Sequence, residues 1–234
     1  MQNRRPDGYA ARVDGTATSA SARRTASRGR IDKRQAILGA AFTVFADQGY
    51  ARAGMDGIAE VAGVAKHTVY NHFGDKENLF HAALAATADA VMTENLAIVE
   101  ELTFECGEGA EPVRSRLEDV GYRLLLQCCD PRSWALRRLL QAEITRFPEL
   151  LEIVRGFGSD RLRQGLADRM ARLALAGRLR ICDPVEAAEQ FLALLTGPME
   201  ARSQLGTRTV PESELRAVAG AAVGTFLRAF HAGP

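Results

Sequence analysis

Cysteine is scarce in this 234-residue chain: four in all, at Cys106, Cys128, Cys129 and Cys182, and no two are spaced as Cys-x-x-Cys. The four histidines are equally poorly placed, since His67, His72 and His81 lack ligand spacing, so no metal and no cofactor is expected. Long apolar runs are missing too. No stretch of about 18 uncharged apolar residues occurs, which argues against a membrane span. The N-terminal segment carries charge but not the continuous apolar run of a secretory signal; its Arg, Ser and Ala content also suits an organellar transit peptide, a reading that the segment following it disfavours. The expectation is a cytoplasmic protein with reduced thiols. Sustained period-two alternation and Asn-Gly hairpin turns are absent, so strands are not expected. Gly156-Phe157-Gly158 lacks the third glycine and the preceding strand of a dinucleotide fingerprint, and reads as a helix break.

What is present is 47% hydrophobic residues, enough to bury a sizeable core, with Gly and Pro not in excess. The net charge is +1 but unevenly spread. Residues 1–30 hold Arg4, Arg5, Arg12, Arg23, Arg24, Arg28 and Arg30 against Asp7 and Asp14, a charge of +5, which leaves −4 on the rest. Almost no large apolar side chain occurs in this arm, so it is expected to be disordered alone and to suit a polyanion.

From Asp32 onward the period changes. Ala36/Ile37, Ala40/Ala41 and Val44/Phe45 recur every four residues and place one apolar stripe on a helix, which Gly49 is positioned to end. A short helix follows over about Met55 to Ala62, then a turn at Gly63-Val64, then a third helix over about Ala65 to His72. Asp75 caps a long fourth helix carrying Leu79, Phe80, Leu84, Val91, Leu96 and Val99. Gly107 and Gly109 mark a loop. Pro112, Asp130-Pro131, Pro148, Asp183-Pro184 and Pro211 open five more helices, with the seventh broken near 156–159 and the eighth kinked at Pro198. The fold class is all-α with about nine helices: an arm over 1–30, a three-helix unit over 31–77 and a larger helical bundle over 78–234.

Two short helices joined by a tight turn form a helix-turn-helix, whose second helix lies in the major groove of DNA. The exposed positions of that second helix are Lys66, His67, Thr68, Tyr70, Asn71 and His72; each donates hydrogen bonds and none is acidic. Lys, Asn and His reach base edges, while Thr and Tyr hydroxyls suit phosphate oxygens.

The run Ile58-Ala59-Glu60-Val61-Ala62-Gly63-Val64, then Thr68-Val69-Tyr70-Asn71-His72-Phe73, then Asp75-Lys76-Glu77-Asn78-Leu79, resembles the DNA-binding signature of TetR/AcrR-family regulators. The resemblance implies a homodimer on a palindromic operator in double-stranded DNA. In it Thr68, Tyr70, His72 and Lys76 contact phosphates, and Lys66, His67 and Asn71 sit nearest the base edges. Arg28 and Arg30 of the arm are candidate DNA contacts as well. Two positions depart from the pattern. Gly54 stands where the family usually has Thr or Ser, and Ala65 where it often has Ser; both start helices, and alanine at a cap costs about 1 kcal/mol. Further on, Arg137-Arg138-Leu139-Leu140, Glu143, Arg146-Phe147-Pro148-Glu149-Leu150, Asp183-Pro184, Ala187-Ala188 and Gln190-Phe191-Leu192 are similar to the C-terminal domain of the AefR-like branch, which implies a ligand-responsive domain.

The site residues expected behind the helix-turn-helix are of two kinds. Trp134, Glu143 and Phe147 are candidates to line a pocket for an unknown small molecule, although a carboxylate there equally suits a salt bridge. Leu192, Leu195 and Met199, with Val218, Ala222 and Phe226, repeat at helical intervals and are candidates for a four-helix dimer seam, the alternative being ordinary core. Cys128-Cys129 reads as small buried hydrophobes, with oxidation sensing as the alternative. The expected function is a ligand-responsive homodimeric repressor that releases its operator when a small molecule binds. Two other readings stay open. An all-α enzyme has no nucleophile–base pair, metal cluster or phosphate loop in its favour. A nucleic-acid module without ligand response is disfavoured by any apolar pocket with convergent polar groups.

Overall fold

A computed structural model describes residues 16–102, 112–158, 160–180 and 183–230, with side chains from Ile31 onward and except at 156–158. Its helices are α1 (Thr16–Arg52), α2 (Met55–Val61), α3 (Lys66–Phe73), α4 (Lys76–Glu100), α5 (Val113–Cys128), α6 (Pro131–Glu143), α7 (Leu150–Gly158), α8 (Asp160–Leu175), α9 (Pro184–Thr196), α10 (Met199–Arg202) and α11 (Glu212–Phe230). These are the nine expected helices, the seventh broken into α7 and α8 and the eighth into α9 and α10 at Pro198. The loop glycines Gly107 and Gly109 lie outside the described residues.

Local chemistry sets most of the boundaries. Gly49 takes φ 75° and ψ 162°, which ends the straight part of α1 and turns the chain towards Tyr50. Gly63, at φ 64°, makes the turn between α2 and α3. Three aspartates cap helices with their carboxylates. Asp75 accepts from Asn78 N at 2.8 Å, Asp130 from Arg132 N at 2.9 Å, and Asp183 from Val185 N at 2.9 Å. Gly54 and Ala65 cap α2 and α3 without any side-chain bond, as their departure from the family pattern requires.

The arm departs from expectation. Its second half, from Thr16, is helical and continuous with α1, where composition predicts disorder over all of 1–30. Ala and Arg are good helix formers, and a run joined to an existing helix needs no nucleation of its own. Residues 1–15 lie outside the described residues.

Two hydrophobic cores organise the chain. The first joins α1 to α4 around Ile37, Phe45, Ile58, Val69, Leu79 and Phe80, and recruits Leu136, Leu139 and Leu140 of α6 with Phe147 and Leu150 beyond it. The second joins the end of α4 to α5, α8, α9 and α11 around Leu117, Leu125, Leu166, Met170, Phe191, Leu195 and Phe226. Helix α4 belongs to both. It is long and apolar enough to pass for a membrane span, yet it packs against α1, α5, α6, α7 and α8 as the strut between the cores. At its end Glu101 pairs with Arg123 of α5, which holds the Glu101 carboxyl below the usual carboxylate range.

Candidate nucleic-acid interface and inner cavity

Helices α2 and α3 present the expected surface. Val69 and Phe73 turn inward and anchor α3 to the core, so Lys66, His67, Tyr70 and Asn71 stay exposed, with Thr68 and His72 half-buried. Thr68, Asn71 and His72 share a groove of about 600 Å³ with Ile31 and Arg34 of α1. Arg34 is thus a cation on this groove that the sequence reading missed; its guanidinium stacks 5.3 Å from the Phe73 ring centroid, which fixes it beside α3. The signal was there, since Arg34 follows the arm directly and stands three residues before Ile37, a cation at the start of the apolar stripe.

Two expected contacts are engaged elsewhere. Lys66 Nζ pairs with Asp56 Oδ1 of α2 at 2.7 Å, and that hydrogen bond raises the lysine above its ordinary pKa. Lys76 Nζ donates to Ala51 O at 3.2 Å and lies 4.6 Å from the Tyr50 ring centroid. Burial, then the Arg146 charge, pushes that ammonium below the usual lysine range. Arg146 also lies over Tyr50, at 4.8 Å, so one tyrosine ring holds two cations. The side chains of Arg28 and Arg30 lie outside the described residues.

A cavity is present, but Trp134, Glu143 and Phe147 are not among the residues that line it. Phe147 is buried in an aromatic cluster between the two halves, at 5.0 Å from Tyr50 and 5.1 Å from His81, whose Nε2 pairs with Glu149 Oε1 at 3.3 Å. Trp134 is 5% exposed. It lies under the Arg137 guanidinium at 4.1 Å, and Gly206 sits so close that a Cβ there would fall 2.4 Å from the indole. Glu143 is near enough to Tyr50 and Lys76 to act on both electrostatically, and it does not line the cavity.

The cavity itself, about 350 Å³, lies between α4, α5, α6, α7, α8 and α9. Val91, Leu124, Leu140, Val154, Leu162 and Leu192 give it apolar walls. Asn95, Gln127, Cys128, Ser133, Arg137, Gln141 and Thr196 bring polar atoms into it. Among the described residues, Asn95 Oδ1 and Ser133 Oγ are buried without a hydrogen-bond partner. Such atoms are costly unless something supplies the missing bond. Asn95 was legible in principle: it stands four residues from Val91 and from Val99, a polar side chain on the apolar face of α4.

Most of the residues expected at a dimer seam are taken up within the protomer. Leu195, Met199 and Phe226 are at most 1% exposed inside the protomer's own second core, and Leu192 lines the cavity. Val218 and Ala222 do reach the floor of an outer groove, whose other walls are Leu194, Pro198, Arg202, Ala217, Ala221 and Thr225. Among the described residues no group of three or more His, Cys, Asp or Glu is placed to hold a metal.

This arrangement, a helix-turn-helix on an all-helical body with an inner cavity, defines a DNA-binding transcriptional regulator. The chain belongs to the TetR family: the profile of the bacterial regulatory proteins of the tetR family matches residues 37–83, and that of the AefR-like transcriptional repressor C-terminal domain matches residues 115–232. The HTH-type transcriptional repressor AcnR of Corynebacterium efficiens is 29% identical over 189 residues, 79% of this chain and 89% of that protein. The HTH-type transcriptional activator FasR of Mycolicibacterium smegmatis is 44% identical over 64 residues, 27% of this chain and 29% of FasR. Among solved structures, a TetR-family regulator from Mesorhizobium loti superimposes with a TM-score of 0.77 at 29% identity, over 86% of this chain and 98% of its own. The flavonoid-responsive regulator FrrA gives 0.65 at 28%, over 86% and 97%. Members of this family are regulators rather than enzymes.

Proposed function

We propose that this chain is a homodimeric repressor that binds a palindromic operator through α3 and releases it when a small, largely apolar molecule fills the inner cavity. One observation carries the reading: α6 has one face in each place. Leu136, Leu139 and Leu140 pack into the core that holds the helix-turn-helix, while Ser133, Arg137 and Gln141 reach the cavity. A ligand seated there pushes on a helix that the DNA-binding unit rests against, and differential affinity for two positions of α6 supplies the coupling. The repressor relatives and the flavonoid-responsive neighbour support the sign of regulation and the response to a ligand. A pocket with convergent polar groups also disfavours a DNA-binding module without ligand response. For the homodimer, the outer groove of α9 and α11 offers the face: Ala217, Ala221 and Thr225 are small and let a second copy's helices approach closely.

Selection of bound duplexes from a random pool, with and without a metabolite extract, tests this. A palindromic consensus that the extract displaces is the expected result. A non-palindromic consensus, or one that no extract displaces, overturns it.

A further inference from the structure

Cys128 ends α5 with its sulfur on the cavity wall, and α6 returns over it. Arg137 of α6 clamps this corner. Its Nη1 lies 3.5 Å from Cys128 Sγ, its Nη2 donates to Cys128 O, and its Nε donates to Ser133 O at 3.2 Å. Trp134 stacks beneath the same guanidinium and holds it in place. Next in sequence, Cys129 lies against the second core with its sulfur 3.6 Å from buried Met199 Sδ, and its S–H is within reach of Cys128 as well. Cys128 therefore has a thiol donor and a guanidinium on one side and an apolar chamber on the other.

The titration agrees with the geometry. The Cys129 hydrogen bond, with Arg137 adding to it, brings the Cys128 thiol down to about 6, against burial and the Glu200 carboxylate, which oppose ionisation. Cys129 moves the opposite way, because the proton stays with it. A thiolate is the nucleophilic form of cysteine, and identifiable cationic surroundings are what produce one near neutrality.

We propose that the cavity takes a small ring compound bearing a conjugated carbonyl, and that Cys128 Sγ captures it covalently. This rests on the reading of the cavity as the effector site and names the chemistry of its ligand. The sulfur adds to the β-carbon of the double bond. The S–C bond forms while the π pair moves to the carbonyl oxygen as an enolate; a proton from water then returns to the α-carbon. The product is a thioether, and nothing is oxidised or reduced overall. The two orphan atoms fit such a ligand: the Ser133 hydroxyl donates to a carbonyl oxygen, and Asn95 Oδ1 accepts from a ring hydroxyl. Capture also competes with Arg137 for the sulfur, and Arg137 stands on the helix that supports the DNA-binding core.

The test uses the full chain, N-ethylmaleimide as the conjugated probe and N-ethylsuccinimide as its saturated counterpart. Intact mass and peptide mapping locate the adduct, initial rates are followed between pH 5 and 9, and DNA affinity is read by anisotropy on a duplex selected from the random pool. The first adduct is expected on Cys128, with a half-maximal rate near pH 6 that moves up in both Arg137→Gln and Cys129→Ala. DNA affinity should fall on the order of tenfold with the maleimide and not with the succinimide. Cys128→Ser should abolish both effects. First labelling at Cys106, Cys129 or Cys182, or a half-maximal pH in the ordinary thiol range that neither variant moves, overturns the proposal. An adduct on Cys128 that leaves DNA affinity unchanged upholds the capture and counts against the effector reading instead.

Discussion

Lys66 Nζ lies 2.7 Å from Asp56 Oδ1, so the first side chain of the recognition helix is held by the helix in front of it. Both groups are largely exposed, and a pair of this kind contributes little to stability. Its effect is on DNA. Asp56→Asn removes a negative charge from the DNA-facing side and releases the lysine. Tighter binding at low salt is expected, with the slope of log affinity against log salt steeper by about 0.9 for one more neutralised phosphate. An unchanged slope, from titrations at several salt concentrations, would show that Lys66 stays on α2 or reads a base instead.

The arm is expected to supply much of the long-range attraction. It carries +5, while Asp32–Lys76 has five basic residues (Lys33, Arg34, Arg52, Lys66, Lys76) and five acids (Asp32, Asp47, Asp56, Glu60, Asp75). Deleting residues 1–29 should flatten the salt slope and weaken binding, with little change in sedimentation or melting temperature. A slope that survives the deletion makes the arm a bystander.

Self-association and folding should separate at neighbouring residues. Leu194 lines the outer groove and Leu195 is fully buried. Leu194→Glu or Ala221→Glu should give folded monomers in sedimentation. Leu195→Glu or Phe226→Glu places a carboxylate in a dry core and should unfold the chain outright, seen as loss of its helical circular dichroism. Dimers from Ala221→Glu would put the interface on another face.

Phe147 links the two halves of the molecule through Tyr50, Phe80 and His81. Phe147→Ala leaves a cavity in that cluster, and a loss of about 3–5 kcal/mol is expected in urea unfolding. The same variant should blunt the response of DNA binding to a cavity ligand more than Phe191→Leu, which alters only the second core. Equal responses would move the coupling away from Phe147.

The helix-turn-helix was legible because its information is local: turn glycines, an aspartate cap and a four-residue apolar stripe all lie within one stretch of chain. The same holds for the helix starts at Asp130-Pro131 and Asp183-Pro184. The burial of Leu195, Met199 and Phe226 inside the protomer was not legible, because heptad spacing marks an apolar face without saying whose helix covers it. Leu194 and Leu195 differ by about 100° of rotation on α9, and only the packing of α11 decides between them. The cavity was harder still. Its walls come from six helices far apart in sequence, whereas Trp134, Glu143 and Phe147 were drawn from one neighbourhood, where Phe147 joins an aromatic cluster and it is Ser133, Arg137, Leu140 and Gln141 that face the cavity. The partners of Lys76 within the chain were hidden for a related reason: its position in the motif does not tell that Tyr50 and Ala51 lie within its reach.

Helix α6 also limits how this regulator diversifies. Under the proposed coupling, a change on its cavity face reaches the helix-turn-helix through the opposite face, thirteen residues serving two masters. Variation at α5, α8 and α9, where Leu124, Leu162 and Leu192 line the cavity from the side of the second core, escapes that constraint. A biosensor retuned towards a new compound is therefore best randomised at those three leucines with α6 left untouched, and natural descendants of this chain that sense different molecules should carry their differences in the same places.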